Sequence, residues 1–345
     1  MEDAILKAIG QFFGEGTINR RDFLKKTGQA LVAIGGPELL ATSGSGSAQE
    51  KGQKVQPPET GCYIGLHHGG KISEYYGGFV DKVGKKPKII TPPIGWQSNV
   101  LKRDPPPKDV LEMLTSWGAI PFLYRHLIED IQMYGFSNLV TSKEFQQDIT
   151  KYAQAMTEYG KPFLFTTMHE LNIDAWPWSK QAGTAKKVWQ TMWDIFEDNG
   201  ANKYATWVWE VYTAGTAVTW VDDPEWYYPG DKYVDWIGLS AYSRDGNEQT
   251  RNMSFKILTE DAYSKMHRSH PDKPIMQAEF GKTKGPSQAK WFKNAFETIK
   301  SWPEMKAAIV WDVYDIGLSD DANLSDDTPK MLGEILKDPY FIGAK

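Results

Sequence analysis

Eight short β-rich runs, at residues 61–66, 87–91, 119–124, 162–168, 204–209, 233–240, 274–278 and 307–311, alternate with longer amphipathic or polar stretches. That rhythm constrains the fold more than any other feature, because strands that alternate with helices build βα units around a parallel sheet. Eight units close a (β/α)8 TIM barrel. Helix-like spacing of apolar residues, roughly i, i+3, i+4, runs through 142–159, 185–199, 258–269, 286–301 and 330–336. One catalytic domain over residues 61–345 accounts for the pattern without a second domain, and about 250 residues suffice for such a barrel.

Two of the runs finish on glutamate. Phe163-Leu-Phe-Thr-Thr-Met-His-Glu170 ends at strand four, and Pro274-Ile-Met-Gln-Ala-Glu-Phe-Gly281 carries Glu279 at strand seven. Carboxylates at the C-terminal ends of barrel strands stand where this fold keeps its chemistry. Cleaving a glycosidic bond takes two of them.

Composition narrows the substrate class. With 14 Trp, 16 Tyr and 15 Phe the chain is rich in flat faces, which serve either for stacking on sugar rings or for packing. A net charge of −5 without a basic patch excludes a nucleic-acid partner. The single Cys62 excludes an internal disulfide and a thiolate metal cluster. No run reaches the ~20 apolar residues of a membrane span.

The N-terminal segment is expected to be an address rather than structure. Asn-Arg-Arg-Asp-Phe-Leu-Lys-Lys at 19–26, followed by the apolar 30–36, has the form of a twin-arginine export signal. Small residues at Gly46 and Ala48 place cleavage after residue 48. A polar linker would then occupy 49–60, with periplasmic or secreted delivery by the twin-arginine export machinery and no stable membrane insertion after cleavage.

Four segments resemble glycoside hydrolase family 26, known chiefly for β-mannanases. They are His169-Glu170-Leu-Asn172 with Trp176-Pro177-Trp178, the stretch from Tyr228 to Tyr242, Ala278-Glu279-Phe280-Gly281, and Asp338-Pro-Tyr-Phe341. The resemblance implies a retaining endo-β-glycosidase acting on a polysaccharide, β-1,4-mannan or a related β-glycan, with Glu170 as acid/base and Glu279 as nucleophile. In related families of the same clan the residue before the acid is usually Asn, whereas here it is His169. No cofactor and no metal are implied, since the chemistry uses side chains alone. A barrel that keeps the cleft without turnover, as an inactive glycan-binding or exopolysaccharide-assembly protein, is the alternative.

Further candidates surround the pair. Trp176 and Trp178 would desolvate Glu170 and hold up its pKa. His169 either contacts the sugar or orients a carboxylate, unless it is a packed histidine. Tyr242 could hydrogen-bond Glu279, Trp311 could floor the cleft at subsite −1, and Trp96 could form a distal subsite, each against simple packing. Arg125 either binds a hydroxyl or balances the acidic site, or forms a structural salt bridge. Asn172 and Asp174 shape the loop after the acid, with capping as the plainer role. His67 and His68 lack an evident third ligand for a metal.

The chain also departs from the mannanase pattern. Ile173 stands for a glycine and Ala175 for a tryptophan, and Glu210 follows strand five where a Ser-Pro-Asn-like turn is usual. Glu210 is therefore either a third carboxylate at the barrel mouth or a partner for a surface cation.

Overall fold

The computed structural model describes residues 54–68, 72–92, 104–213, 222–244, 250, 253–312 and 327–345. The export signal, the first five residues of the linker and Trp96 lie outside the described residues. Eight parallel strands form the barrel: β1 (Cys62–His68), β2 (Ile89–Thr91), β3 (Ile120–Arg125), β4 (Phe163–Thr167), β5 (Ala205–Tyr212), β6 (Trp236–Ser243), β7 (Ile275–Lys282) and β8 (Met305–Asp312). Each pairs with the next, and β1 closes the ring by pairing with both β8 and β2. A two-residue β9 (Phe341–Ile342) adds to the start of β1.

All eight expected runs are strands, and β5 to β8 extend past their expected ends. Those extensions carry Glu210, Ser243, Glu279 and Asp312, polar residues that interrupt an apolar pattern while remaining in the ladder.

Eight α-helices are described around the barrel: α1 (Ile72–Val83), α2 (Lys108–Ser116), α3 (Ile128–Tyr134), α4 (Lys143–Tyr159), α5 (Ala182–Asp198), α6 (Phe255–Ser269), α7 (Gln288–Ser301) and α8 (Asp327–Leu336). Start and stop signals set α4: Ser142 caps it by accepting from the Phe145 N–H, and Gly160 ends it in the left-handed region at φ 66°. The helical pattern leaves α1, α2 and α3 unmarked. Adjacent Gly77 and Gly78 weaken the signal of α1, and α2 and α3 are only 9 and 7 residues long. Among the described residues β5 is followed by 3-10 turns (Pro224–Tyr227 and Asp231–Tyr233) in place of an α-helix.

Two cores result from the alternation of strand side chains. An outer core joins strands to helices and includes Phe163, Phe165, Trp207 and Phe280. An inner core fills the barrel with Ile89, Phe122, Leu164, Val208, Trp236, Met276, Ala278, Ala307 and Ile309, against which Ile120 and Tyr124 pack.

Val55 belongs to that inner core. Its N–H donates to Thr206 Oγ1 at 2.7 Å, and Lys54 Nζ reaches Asp235 at 2.8 Å. Residues 54 and 55, within the stretch expected as a linker, thus seal the N-terminal end of the barrel. No helix among the described residues is long and apolar enough to cross a membrane.

Candidate active site

The opposite, C-terminal end of the barrel gathers three buried carboxyls. Glu170 lies three residues past β4, 7% exposed, on a loop whose backbone is strained: Met168 and Glu170 both sit at φ 50°, in the left-handed region that non-glycine residues rarely occupy. Strain of that kind persists where surrounding contacts fix it. Here Asn172 supplies them, its side-chain amide exchanging bonds of 3.0 and 2.8 Å with the backbone of Tyr212 on β5. Ser179 also accepts from the Trp176 N–H at 3.0 Å and donates to the Ile173 carbonyl at 2.5 Å. Asn172 is therefore a loop anchor to β5, while Asp174 and Ala175 are exposed.

Glu279 enters by a different device. In β7, Gln277 pairs with Leu239 but Glu279 pairs with Ser240, so Ala278 is an extra residue in the ladder. This bulge lets consecutive residues face inward. Ala278 joins the inner core, and Glu279, 3% exposed, accepts from the Tyr242 hydroxyl through Oε2 at 2.5 Å.

Glu210, on β5, is wholly buried and accepts from Ser240 Oγ through Oε1 at 2.5 Å. It is a third carboxyl inside the barrel mouth, and among the described residues no surface cation pairs with it. The Tyr124 hydroxyl stands beside both Glu210 and Glu279, where it favours their charged forms, without a bond of ordinary length and angle to either.

Burial raises all three. Glu170 is pushed up to about 7 by desolvation, against the pull of the Trp176 indole N–H and the charge of Arg244. Glu210 is pushed up to about 8 by desolvation, with Glu170 adding to the rise and Ser240 opposing it. Desolvation, then the charges of Glu210 and Glu170, raise Glu279, while hydroxyls of Tyr242 and Tyr124 draw it back.

Those repulsions exist only while the neighbours are ionised. With protons on Glu210 and Glu170, a single negative charge on Glu279 meets two hydroxyls and no opposing carboxylate.

Aromatic rings wall this cluster. Trp176 Nε1 donates to Glu170 Oε2 at 3.2 Å, and its ring stacks on Trp178 with centroids 5.4 Å apart. Trp178 is 0% exposed and donates to the His169 carbonyl. It therefore presents no face to a sugar and serves instead to support His169 and Trp176. His169 packs edge-on to Trp176 at 4.4 Å and to His126 at 4.8 Å. Trp311, at the end of β8, stacks on His67 at 3.9 Å and meets Tyr242 edge-on at 5.8 Å.

Arg125 is displaced from the expected set. Alternation along β3 turns Ile120, Phe122 and Tyr124 inward, so Arg125 faces the helix layer. It is fully buried there and donates to Asp130 Oδ2 on α3 at 2.8 Å and to the His126 carbonyl. The salt bridge, one of the roles open to it, is the one it has.

Three residues of the site escape sequence reasoning: Tyr124, His126 and Arg244. Arg244, just past β6, places its guanidinium carbon 4.9 Å above the Tyr242 ring and acts on Glu170 by charge. Tyr124 faces inward with Phe122, a strand phase that the apolar run does not mark; His126 and Arg244 follow strand ends with no signal of their own. Among the described residues no group of three His, Cys, Asp or Glu side chains could hold a metal ion.

A family model, glycosyl hydrolase family 26, matches residues 120–306, more than half of the chain, and spans both Glu170 and Glu279. The chain belongs to glycosyl hydrolase family 26. Endoglucanase H of Acetivibrio thermocellus is 30% identical to this family-26 chain over 188 residues, which are 50% of the chain and 20% of that protein. The chain therefore spans about one fifth of the length of that relative.

Solved structures share the barrel. An endo-β-1,4-mannanase double mutant from Cellulomonas fimi superposes with a TM-score of 0.63 at 16% identity, over 82% of this chain and 72% of that one. The family-26 domain of an endo-β-mannanase/endo-β-glucanase from Prevotella bryantii gives 0.58 at 16%, over 82% and 90%. A β-mannanase from Bacteroides ovatus gives 0.59 at 16%, over 83% and 91%. At that identity the likeness concerns the fold.

Proposed function

We propose that the chain is a secreted retaining endo-β-glycanase that hydrolyses a β-1,4-mannan or related β-glycan by double displacement. The observation that carries the reading is the neighbouring pair of buried glutamates at the C-terminal barrel mouth: Glu170 is held up to about 7 within an aromatic wall, and Glu279 accepts a hydrogen bond from the Tyr242 hydroxyl at 2.5 Å. A general acid works best with a pKa near the operating pH. A nucleophile must be ionised when it attacks, and the hydroxyls of Tyr242 and Tyr124 favour the charged form of Glu279.

In this reading Glu279 attacks the anomeric carbon while Glu170 protonates the departing glycosidic oxygen. Glu170, now a carboxylate, then takes a proton from water, whose oxygen displaces Glu279. Trp176 orients the acid, and Trp311, 8% exposed at the end of β8, is the candidate floor for the sugar. Export rests on the twin arginines at Arg20 and Arg21.

The reading is tested by reducing-end release from a panel of mannans, mixed-linkage glucans and bacterial exopolysaccharides. Hydrolysis should vanish in Glu279→Ala, and in Glu170→Ala it should vanish for poor leaving groups while activated aryl glycosides are still cleaved. Equal loss on both substrate types removes Glu170 as the acid. Silence of the unaltered protein across the panel, with glycan binding retained, replaces the hydrolase reading with a binding one.

A further inference from the structure

We infer that Glu210 carries a proton in the working enzyme and acts as a positioning residue, donating from Oε2 to the Tyr124 hydroxyl so that the tyrosine proton points at Glu279. The inference rests on the hydrolase reading above and adds a residue to it.

Position excludes Glu210 from contact with substrate. It is 0% exposed, one level above the apolar filling of the barrel. Its room is created by Gly238 on β6, directly opposite in register, where a methyl group would stand 3.3 Å from Glu210 Cβ. A side chain so enclosed meets neither water nor sugar.

Hydrogen-bond accounting then bears on its charge state. Glu210 Oε1 is satisfied by Ser240, but among the described residues neither Oε2 nor the buried Tyr124 hydroxyl beside it makes a hydrogen bond of ordinary length and angle. A carboxylate buried with a bare oxygen is heavily penalised, and a buried hydroxyl is penalised too. A hydrogen on Oε2 answers both, since the neutral carboxyl becomes a donor and leaves the tyrosine proton free for another acceptor. Glu279 is that acceptor, the second carboxyl beside the Tyr124 hydroxyl.

The charged and titratable surroundings agree. Facing Glu210 are Tyr124 from β3, Glu170 from the loop after β4, Ser240 from β6 and Glu279 from β7; Tyr242 bonds Glu279 on its far side. Arg244 acts on Glu170, Tyr212 and Tyr242. Among the described residues no cation is one of the groups that act on Glu210. Burial favours the protonated form and outweighs the hydroxyls of Ser240 and Tyr124, which favour the charged one, so that Glu210 is pushed up to about 8.

The test compares Glu210→Gln, which retains an acceptor for Ser240 and an N–H donor for Tyr124, with Glu210→Met, which retains neither. The inference expects Glu210→Met to move the acid limb of kcat/KM up by about one pH unit, a tenfold loss at the acid end. It expects Glu210→Gln to restore the limb, and Tyr124→Phe to match Glu210→Met without adding to it in the double variant. An unmoved limb in Glu210→Met, or a Glu210→Gln profile like that of Glu210→Met, overturns it.

A readout without substrate separates this from failure of the hydrolase reading: the carboxyl carbon of Glu279 is titrated by NMR in 13C-Glu-labelled protein. Its midpoint should rise in Glu210→Met and not in Glu210→Gln even if no polysaccharide is cut. An unchanged midpoint in both overturns the inference alone.

Discussion

Replacing Arg125 by methionine separates a structural arginine from a substrate-binding one. The guanidinium is fully buried between β3 and the helices, and so is its partner Asp130, with a nitrogen–oxygen distance of 2.8 Å. Removing one member of a buried pair leaves the other charge desolvated, which costs roughly 3–5 kcal/mol. At about 2–4 °C per kcal/mol for a domain of this size, the melting temperature should fall by about 10 °C. Pairing Arg125→Met with Asp130→Leu should recover most of the loss, because apolar residues that replace both charges need no solvation. The assay is urea and thermal unfolding of the two single variants and the double, with kcat and KM on the best substrate. The geometry expects KM within a fewfold of the parent wherever the variant is folded. Unchanged unfolding with a tenfold higher KM would refute the reasoning and return Arg125 to the cleft.

Stability should also depend on pH in a direction set by the buried carboxyls. A carboxyl whose pKa is raised on folding adds stability below its unfolded value and loses it as pH rises through the folded value; for Glu210, raised from 4.5 to about 8, the loss is at most about 5 kcal/mol. Urea unfolding at pH 5 and pH 9 should therefore show a steep decline in the unaltered protein and a shallower one in Glu210→Gln. Trp176→Phe deletes the indole N–H that pulls Glu170 down. The alkaline limb of its kcat/KM profile should shift to higher pH while kcat falls, and a downward shift would show that Trp176 acts by some other route.

The barrel was legible because its signal is repeated. Each β-rich run is short, each is followed by a helical or polar stretch, and small errors at one run leave the count intact. The described linker end shows the limit of that method. Val55 stands among polar residues and prolines, and only the closed barrel reveals an apolar cavity for it at the bottom. Trp178 shows another: an aromatic next to a catalytic loop reads the same whether its face meets a sugar or another ring, and the structure turns it onto Trp176.

Within the site, strand parity decides which neighbour matters. Tyr124 and Arg125 are adjacent, and the charged residue draws the eye, yet only one of two consecutive strand residues can face the barrel axis. In a parallel barrel both faces are buried, so residues 119–124 read as an almost unbroken apolar run with no polar face to set the phase. Phase becomes visible once Phe122 is seen in the inner core, which puts Tyr124 beside the carboxyls and Arg125 beside Asp130. At Glu279 the parity rule itself is suspended, since the extra residue Ala278 lets two neighbours face inward. The sequence marks neither the phase nor the bulge. What it does mark is chemistry, two glutamates at strand ends and a third where the family pattern has none, and the backbone geometry converts those letters into a cluster in which each carboxyl sets the charge of the others.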